Sequence, residues 1–544
     1  MPADPRPTNS FPPPGPAPVA AGPTTAAAET AAPLALLLAL AVLAAWRGVC
    51  VLAGPDVDTD AYAHHMIARA ILADPRDLAI HWVWLPLFHY LQVPLVWAGG
   101  TMDTVRWANL ALSAVTPWVL FRYVCRTARP SRGEVPPSVT AFVAALIAGA
   151  CPIVMQMGTT AQPEPLFALV LIGVAVAFQE RRYNTTAVLL GAAVMLRYEA
   201  WASFLVIAPW ILAEQAGAFF SRSGADGSRE TARGANGLDG ANGLRRVQVN
   251  ARALAVIAVP VALIAIWAVL RRPVDGRWFG FLGQTRQFAN DATHEQSALD
   301  RGVLGLALSA LYYPVIVPVR VLGPVMALVP FGVARTVRDQ GPRFVAVFAA
   351  CLGFISFSWI TRSSLGLDRH FVAVVPLYAT FAAQGGVVVA DGLARVLGRV
   401  PSQWLAGSIA AVLIGGLALE LDVWMGFWRG SIERGWPERT ALGAYLRSVP
   451  AQSTIFCDDA TLEILSGLDR RRFDRHWLDD PHTWDLVARA AEGGEQPYVA
   501  TWSRKLAGHD ALGEVVFHAG QEPNDAATGV AVMRIHEGAA RAGR

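Results

Sequence analysis

The sequence predicts a polytopic α-helical membrane protein of about 11 spanning helices, followed by a small extracytoplasmic α/β domain. Three observations predict it. The 544-residue chain is 54% hydrophobic and only 16% charged, whereas about a quarter of a soluble domain is charged. Apolar runs recur between residues 33 and 423, most of them close to the roughly 20 residues that cross a bilayer. Arginines collect in alternate connecting loops, the pattern of cytoplasmic loops in membrane proteins. The net charge of +3 gives no reason to expect nucleic acid as a partner.

Residues 1–30, rich in Pro, Ala and Thr, read as a disordered segment. The apolar run that follows is too long for the core of a cleavable signal and reads as an uncleaved anchor. Spanning helices are expected at 33–53, 104–124, 138–157, 164–180, 185–198, 200–214, 251–270, 311–334, 343–361, 370–390 and 402–423. Arg122, Arg126, Arg129 and Arg132 mark one cytoplasmic loop, and Arg181 with Arg182 the next. The 215–250 loop, Arg335 to Arg343, and Arg395 with Arg399 complete the set. These loops alternate with a cytoplasmic N-terminus and 11 crossings, which leaves 54–103 and 424–544 outside.

The stretch "HWVWLPLFHYLQVPLVWAGG" (81–100) is apolar enough to cross, but a crossing there would put the Arg122–Arg132 cluster outside. It is therefore placed as an interfacial or re-entrant segment. "GANGLDGANGL" within 215–250 reads as a flexible cytoplasmic insertion. Beyond 424, "PERTALGAYLRSVP" and "ATLEILSGL" read as helices. "STIFCDD", "PYVATWS", "GEVVFHAG" and "GVAVMRIH" read as strands. The five cysteines form no CxxC, which argues against a zinc site or a disulfide framework.

Chemistry-bearing residues cluster at the outer ends of the spans. "GPDVDTDAYAHHMIARAI" sets Asp56, Asp58 and Asp60 just after the first span. Asp60 is expected to cap a helix from Ala61, with Met66, Ile67, Ala70 and Ile71 on its membrane face and Asp60 and His64 on another. Glu164 opens an apolar helix, and a carboxylate at that depth is costly unless paired or used. Arg197 and Glu199 interrupt "VMLRYEAW", where a structural ion pair is the stronger reading. Arg369 and His370 enter a helix from the outer side, and an arginine there can hold a phosphate through two hydrogen bonds. Each signal also has a bland counterpart: a solvated loop, a helix-dipole acid, a snorkelling arginine.

These residues in this order resemble the GT-C superfamily of integral-membrane glycosyltransferases, in the branch of the protein mannosyltransferases and the aminoarabinose transferase of lipid A. "DTDAYAHHMIARAIL" fits the family's acidic motif, with Asp58 the best match by its spacing to Tyr62 and Asp60 the rival. "WLPLFHYL", which carries His89, resembles the proline-containing juxtamembrane segment, without the paired prolines and lysine of some branches. Glu164 corresponds to the second acid, and Arg369 with His370 to a late basic position. The resemblance spans roughly residues 33–390.

It implies an inverting transfer of a sugar from a polyprenyl-phosphate donor to a lipid, glycan or protein acceptor at the extracytoplasmic face. The setting it implies is a bacterial inner membrane. Asp58, Asp60 and Glu164 would be catalytic, and Arg369 and His370 would bind the donor phosphate. Tyr62, His64, His89, Arg197 and Glu199 would support the site. Some relatives use a divalent metal, for which Asp58 and Asp60 would be the ligands. A lipid or solute transporter would instead bury charges at mid-helix in inverted repeats, and no repeat is found. A non-catalytic envelope assembly protein remains the other alternative.

Overall fold

The computed structural model describes residues 23–130, 135–230, 250–293, 302–398, 400–459, 461–475, 478, 480–494, 496–520 and 529–536. The "GANGLDGANGL" repeat and most of segment 1–30 lie outside these residues.

A helix stands at each of the eleven places where the apolar runs call for one. Six of these tracts are long and apolar enough to cross a membrane: Ala31–Ala53, Ala251–Asp275, Gly302–Gln340, Pro342–Ile360, Asp368–Leu397 and Ser402–Gly426. Pro137–Ala150, Glu164–Gln179 and Tyr183–Leu196 are shorter apolar helices. The chain is thus a multi-pass membrane protein. The questioned segment 81–100 folds as a one-turn 3-10 helix, Leu78–His81, and an 11-residue helix, Leu87–Trp97. Eleven residues rise only about 16 Å, well short of the bilayer core.

The Asp368–Leu397 tract is the central element, with 89% of its apolar window buried. It packs against Pro137–Ala150, Val329–Gln340 and Ser402–Leu446. Its contact with Val329–Gln340 is backbone to backbone. A Cβ at Gly332 would collide with the Phe381 carbonyl, and one at Gly385 with that of Leu328, so glycine is needed on both helices.

The two ends of the bundle are chemically distinct. At one end the arginine-rich loops touch one another: Arg126 pairs with Glu180 at 2.9 Å, Arg335 with Asp391 at 3.9 Å, and Arg343 with Glu214. At the other end the loops that follow Ala53, precede Glu164, join Leu196 to Glu199 and precede Val375 converge on one another. The alternation of loop chemistry read from the sequence is therefore a real separation in space.

Two boundaries differ from expectation. The last span does not end near 423 but continues as one helix, Ser402–Leu446. The expected start of the C-terminal domain at 424 thus falls inside a helix, which runs through Gly426, Gly430, Gly435 and Pro437 because its far end, with Leu442 and Leu446, is buried against the sheet. Likewise Glu199–Glu230 carries the helix well into the 215–250 segment expected to be loop.

The C-terminal domain is a five-stranded mixed sheet. Its strands are β1 (Ile455–Cys457), β2 (Phe473–Arg475), β3 (Tyr498–Trp502), β4 (Gly513–Ala519) and β5 (Val530–Ile535), in the order β2-β1-β3-β5-β4. β2, β1 and β3 run parallel, and β5 and β4 add an antiparallel edge. Two apolar clusters cover the sheet's faces, one around Phe456, Val499 and Met533, the other around Leu442, Ile455 and Val532. The long helix supplies Leu442 and Leu446 to the second cluster, which fixes the domain to the bundle. β2 and the helix Pro481–Glu492 were not legible in the sequence. The former is three residues long, and its Phe-Asp-Arg sequence carries no strand signal.

Candidate active site

The first wall of the site is set by Asp58, which caps the helix Thr59–Ala73 by accepting from the Asp60 amide at 3.0 Å. The cap expected at Asp60 is therefore two residues early, and both carboxylates stand at the helix's positive end. The helix does not lie bare on a membrane surface. Tyr62, His64, His65, Met66 and Ile67 are all buried, and it packs on Leu87–Trp97 and on the C-terminal domain, where Tyr62 stacks on Trp436 at 5.3 Å.

Asp56 holds this loop in place. Its Oδ1 accepts from the Asp58 amide at 3.0 Å and its Oδ2 from the Ala161 amide at 2.6 Å. Arg106, buried in Met102–Thr127, donates to the carbonyls of Thr159, Val51 and Gly54 and pairs with Asp103. Asn109, one turn on, donates to the carbonyls of Thr160 and Gln162 at 2.8 and 2.6 Å. Together they tie the exit of the first helix to the loop that delivers Glu164. The sequence pattern assigns Asp56 no role and does not single out Arg106 or Asn109. A lone arginine inside an apolar helix was the available signal.

Arg369 closes the site from the far side. Its Nη1 donates to Asp58 Oδ2 at 2.7 Å, its Nη2 pairs with Asp60, and its Nε lies 3.6 Å from Glu164 Oε1. Arg197 joins the same carboxylate, donating to Glu164 Oε1 at 2.7 Å and to Glu199 at 2.9 Å. His370 Nδ1 sits 3.1 Å from Glu199 and 3.0 Å from Arg197. Asp58, Asp60, Glu164, Arg197, Glu199, Arg369 and His370 thus form one network drawn from four segments.

His64 and His89 reach it from the side. His64 Nδ1 is 2.7 Å from His89 Nε2, and His89 Nδ1 is 2.8 Å from His81 Nδ1. Burial pushes His64 down to about 3 and His81 down to about 4, so the string is neutral. Tyr62 is the one expected support residue turned away, toward Trp436.

The two aspartates are not equivalent. Burial pushes Asp58 up and Arg369 only partly offsets this, whereas at Asp60 Arg369 outweighs burial and holds the carboxyl down. Asp56, more deeply enclosed, is pushed up by burial to about 7 despite Arg106. A divalent metal does not fit the residues present. Both candidate ligands are engaged by a guanidinium, and no group of three or more His, Cys, Asp or Glu among the described residues is placed to hold a metal ion.

The network opens on a cavity of about 340 Å³. Asp60, His64, Arg197, Glu199, Arg369 and His370 form its polar end, while Leu282, Phe354, Ile355 and Phe357 give it an apolar wall. Arg286, from the helix Gly280–Thr293, also lines it and has no carboxylate partner among the described residues. Asp58 lies behind Asp60 and Arg369, outside the lining.

The structure is similar to that of ArnT from Cupriavidus metallidurans bound to undecaprenyl phosphate, with a TM-score of 0.52 over 92% of this chain and 97% of that one, at 14% identity. This chain has a GT-C fold. The apo state of the same ArnT aligns at TM-score 0.46 and 15% identity over 89% of this chain and 94% of that one. No protein-family model and no curated protein matches the sequence. The GT-C architecture implied by the acidic motif is therefore found as a fold, while sequence similarity remains low.

Proposed function

We propose that the chain is a glycosyltransferase that moves a sugar from a polyprenyl-phosphate donor to an acceptor at the outer face of a bacterial inner membrane. In this reading the chain crosses 11 times, with residues 54–103 and 424–544 outside. The observation that carries it is the cavity with an apolar wall and a polar end, backed by a network of four acids and two arginines. Such a site suits a lipid whose phosphate carries a sugar, and the neighbour of similar fold was determined bound to undecaprenyl phosphate.

The electrostatics supply a sequence of events. A donor phosphate reaching Arg369 competes with Asp58 and Asp60 for its fork, while Arg286 offers a second, uncommitted cation. The carboxylate so released at Asp58 is the more basic of the pair, and a base works best with its pKa raised toward the operating pH. Asp58 takes the acceptor hydroxyl proton as that oxygen attacks the anomeric carbon. The bond to the phosphate oxygen breaks, and its electron pair leaves with the polyprenyl phosphate. Arg369 and Arg286 stabilise the charge that grows there. Glu164 and Glu199 hold the guanidinium of Arg197 beside the sugar. One displacement inverts the anomeric centre.

The test is release of polyprenyl phosphate by the purified chain in nanodiscs, supplied with a panel of polyprenyl-phosphate sugars. Release by the wild type and its loss in Asp58→Asn are expected. No release from any donor, with the donors bound, would remove the transferase reading.

A further inference from the structure

A second cavity, of about 760 Å³, lies on the other side of Asp60, between the Thr59–Ala73 helix and the C-terminal domain. It shares Asp60 and Trp84 with the first, so the two meet at Asp60, two residues from the proposed base Asp58. Its size is within the roughly 300–1,000 Å³ of small-molecule sites.

Its walls have two kinds of group. Trp82, Trp84 and Trp502 line it, each half-buried; Trp82 and Trp84 meet edge to face at 5.6 Å, and the Arg439 guanidinium lies 5.0 Å from the Trp502 ring. Trp82 is held in an unfavourable backbone conformation, φ 46° and ψ −112°, with its carbonyl accepting from Arg271 Nη2 at 3.0 Å. A bulky residue at positive φ is strained and persists where the surroundings impose it. The buried Arg271, clamped by Asp275 at 2.7 Å and donating also to the Leu78 carbonyl, is what imposes it here.

The second kind is charge. The three carboxylates of the lining are each engaged: Asp60 by Arg369, Asp458 by Lys505 at 2.7 Å, and Asp459 by Arg439 at 3.0 Å. Arg470 and Arg504 also line the cavity, are exposed, and have no carboxylate partner among the described residues. The cavity therefore presents partly exposed aromatic rings and two uncompensated guanidinium groups, the latter both from the C-terminal domain.

We propose that this cavity receives the acceptor and that the acceptor is an anionic saccharide, with its rings on Trp82, Trp84 and Trp502 and its acid groups on Arg470 and Arg504. The inference rests on the transfer reading above. The C–H faces of a pyranose ring bury well on half-open aromatic rings. Carboxylate or phosphate groups are what an uncompensated guanidinium binds with geometric selectivity. A neutral glycan would leave both arginines unused, and a purely aliphatic acceptor would leave the cations without a counter-charge.

The experiment compares digalacturonic acid with neutral digalactose by titration calorimetry on the full chain in nanodiscs. The acid is expected to bind about 10-fold or more tightly at low salt, each charged hydrogen bond contributing on that scale. The advantage should shrink at high salt and vanish in the double variant Arg470→Glu/Arg504→Glu, both exposed positions. Trp502→Ala should weaken both ligands. Equal affinity for the two sugars, or an advantage that survives the double variant, overturns the inference. Donor turnover by the same wild-type preparation separates the two readings. Binding as described without donor turnover would overturn the transferase and leave the saccharide site supported. Donor turnover without preference for the acid would overturn this inference alone.

Discussion

Asp58 and Asp60 are two positions apart, share one arginine, and are driven in opposite directions. Arg369 reaches both, but Asp58 is the more enclosed, with its side chain 18% exposed against 34%. Desolvation therefore dominates at Asp58 and the ion pair at Asp60. If Asp58 is the base, Asp58→Asn should lower turnover by about 10²- to 10⁴-fold with the protein still inserted, and Asp60→Asn should cost less. Steady-state release of polyprenyl phosphate measures both, and the reverse ranking would make Asp60 the base. Asp56 gives a second prediction, on stability. Its folded pKa of about 7 is above the ordinary carboxylate value. The fold therefore prefers the protonated form, and the stability this contributes is complete at low pH and lost as pH rises through about 7. The melting temperature of the wild type should fall more steeply between pH 5 and pH 8 than that of Asp56→Asn. Parallel curves would show that Asp56 does not titrate in this range.

At the scale of elements, Met102–Thr127 does more than span. Arg106 and Asn109 hold the loops that bear Asp58 and Glu164 by their carbonyls, so the separation of the two acids is fixed by a helix that supplies no residue to the reacting centre. Arg106→Met leaves those carbonyls and Asp103 without their donor. Leaving a buried acceptor without its donor costs about 1–3 kcal/mol, so a lowered melting temperature and lost turnover are expected together. Wild-type values for both would show that the loops hold themselves. This element also shows what the sequence reveals and what it hides. Apolar length and arginine alternation made the eleven helices legible, because bilayer thickness and loop charge act on local composition. The acids were legible because a carboxylate beside a membrane is costly and so conspicuous. Their pairing was not. Arg369 is more than 300 residues from Asp58 (|i−j| = 311), and no periodicity reports a contact of that range. The cap fell at Asp58 instead of Asp60 because either aspartate satisfies the capping rule, and the Asp56 tether to the Ala161 amide decides between them. The run-on of Ser402–Leu446 was hidden for a related reason. A polar stretch after a span reads as an exit, yet a helix continues when its far end is buried, as Leu442 and Leu446 are.

For the whole molecule, the question is which end faces out. The fold fixes two ends by contact: the arginine loops meet at one, and the acids, the histidine string and the C-terminal sheet meet at the other. Any crossing count must keep each group together, which an even number of spans between Ala53 and the C-terminal domain satisfies and an odd number does not. Ten of the eleven expected spanning tracts follow Ala53 before β1, and the short Leu87–Trp97 is not among them. The proposed orientation rests on the positive-inside rule, since the arginines cluster in short loops where the bias is strongest. Single cysteines at Asp77, in the first outer loop, and at Arg338, which is 57% exposed at the opposite end, test this in intact inner-membrane vesicles of known sidedness. The background should carry serine or alanine at the five natural cysteines, four of which, Cys50, Cys151, Cys351 and Cys457, are buried. A membrane-impermeant maleimide applied from the outer face should label the Asp77 position, and the Arg338 position should react only once the membrane is opened. Labelling of both from one side would mean that a tract between them does not cross. Labelling with the sides exchanged would keep the fold and invert it, placing the reaction on the cytoplasmic face.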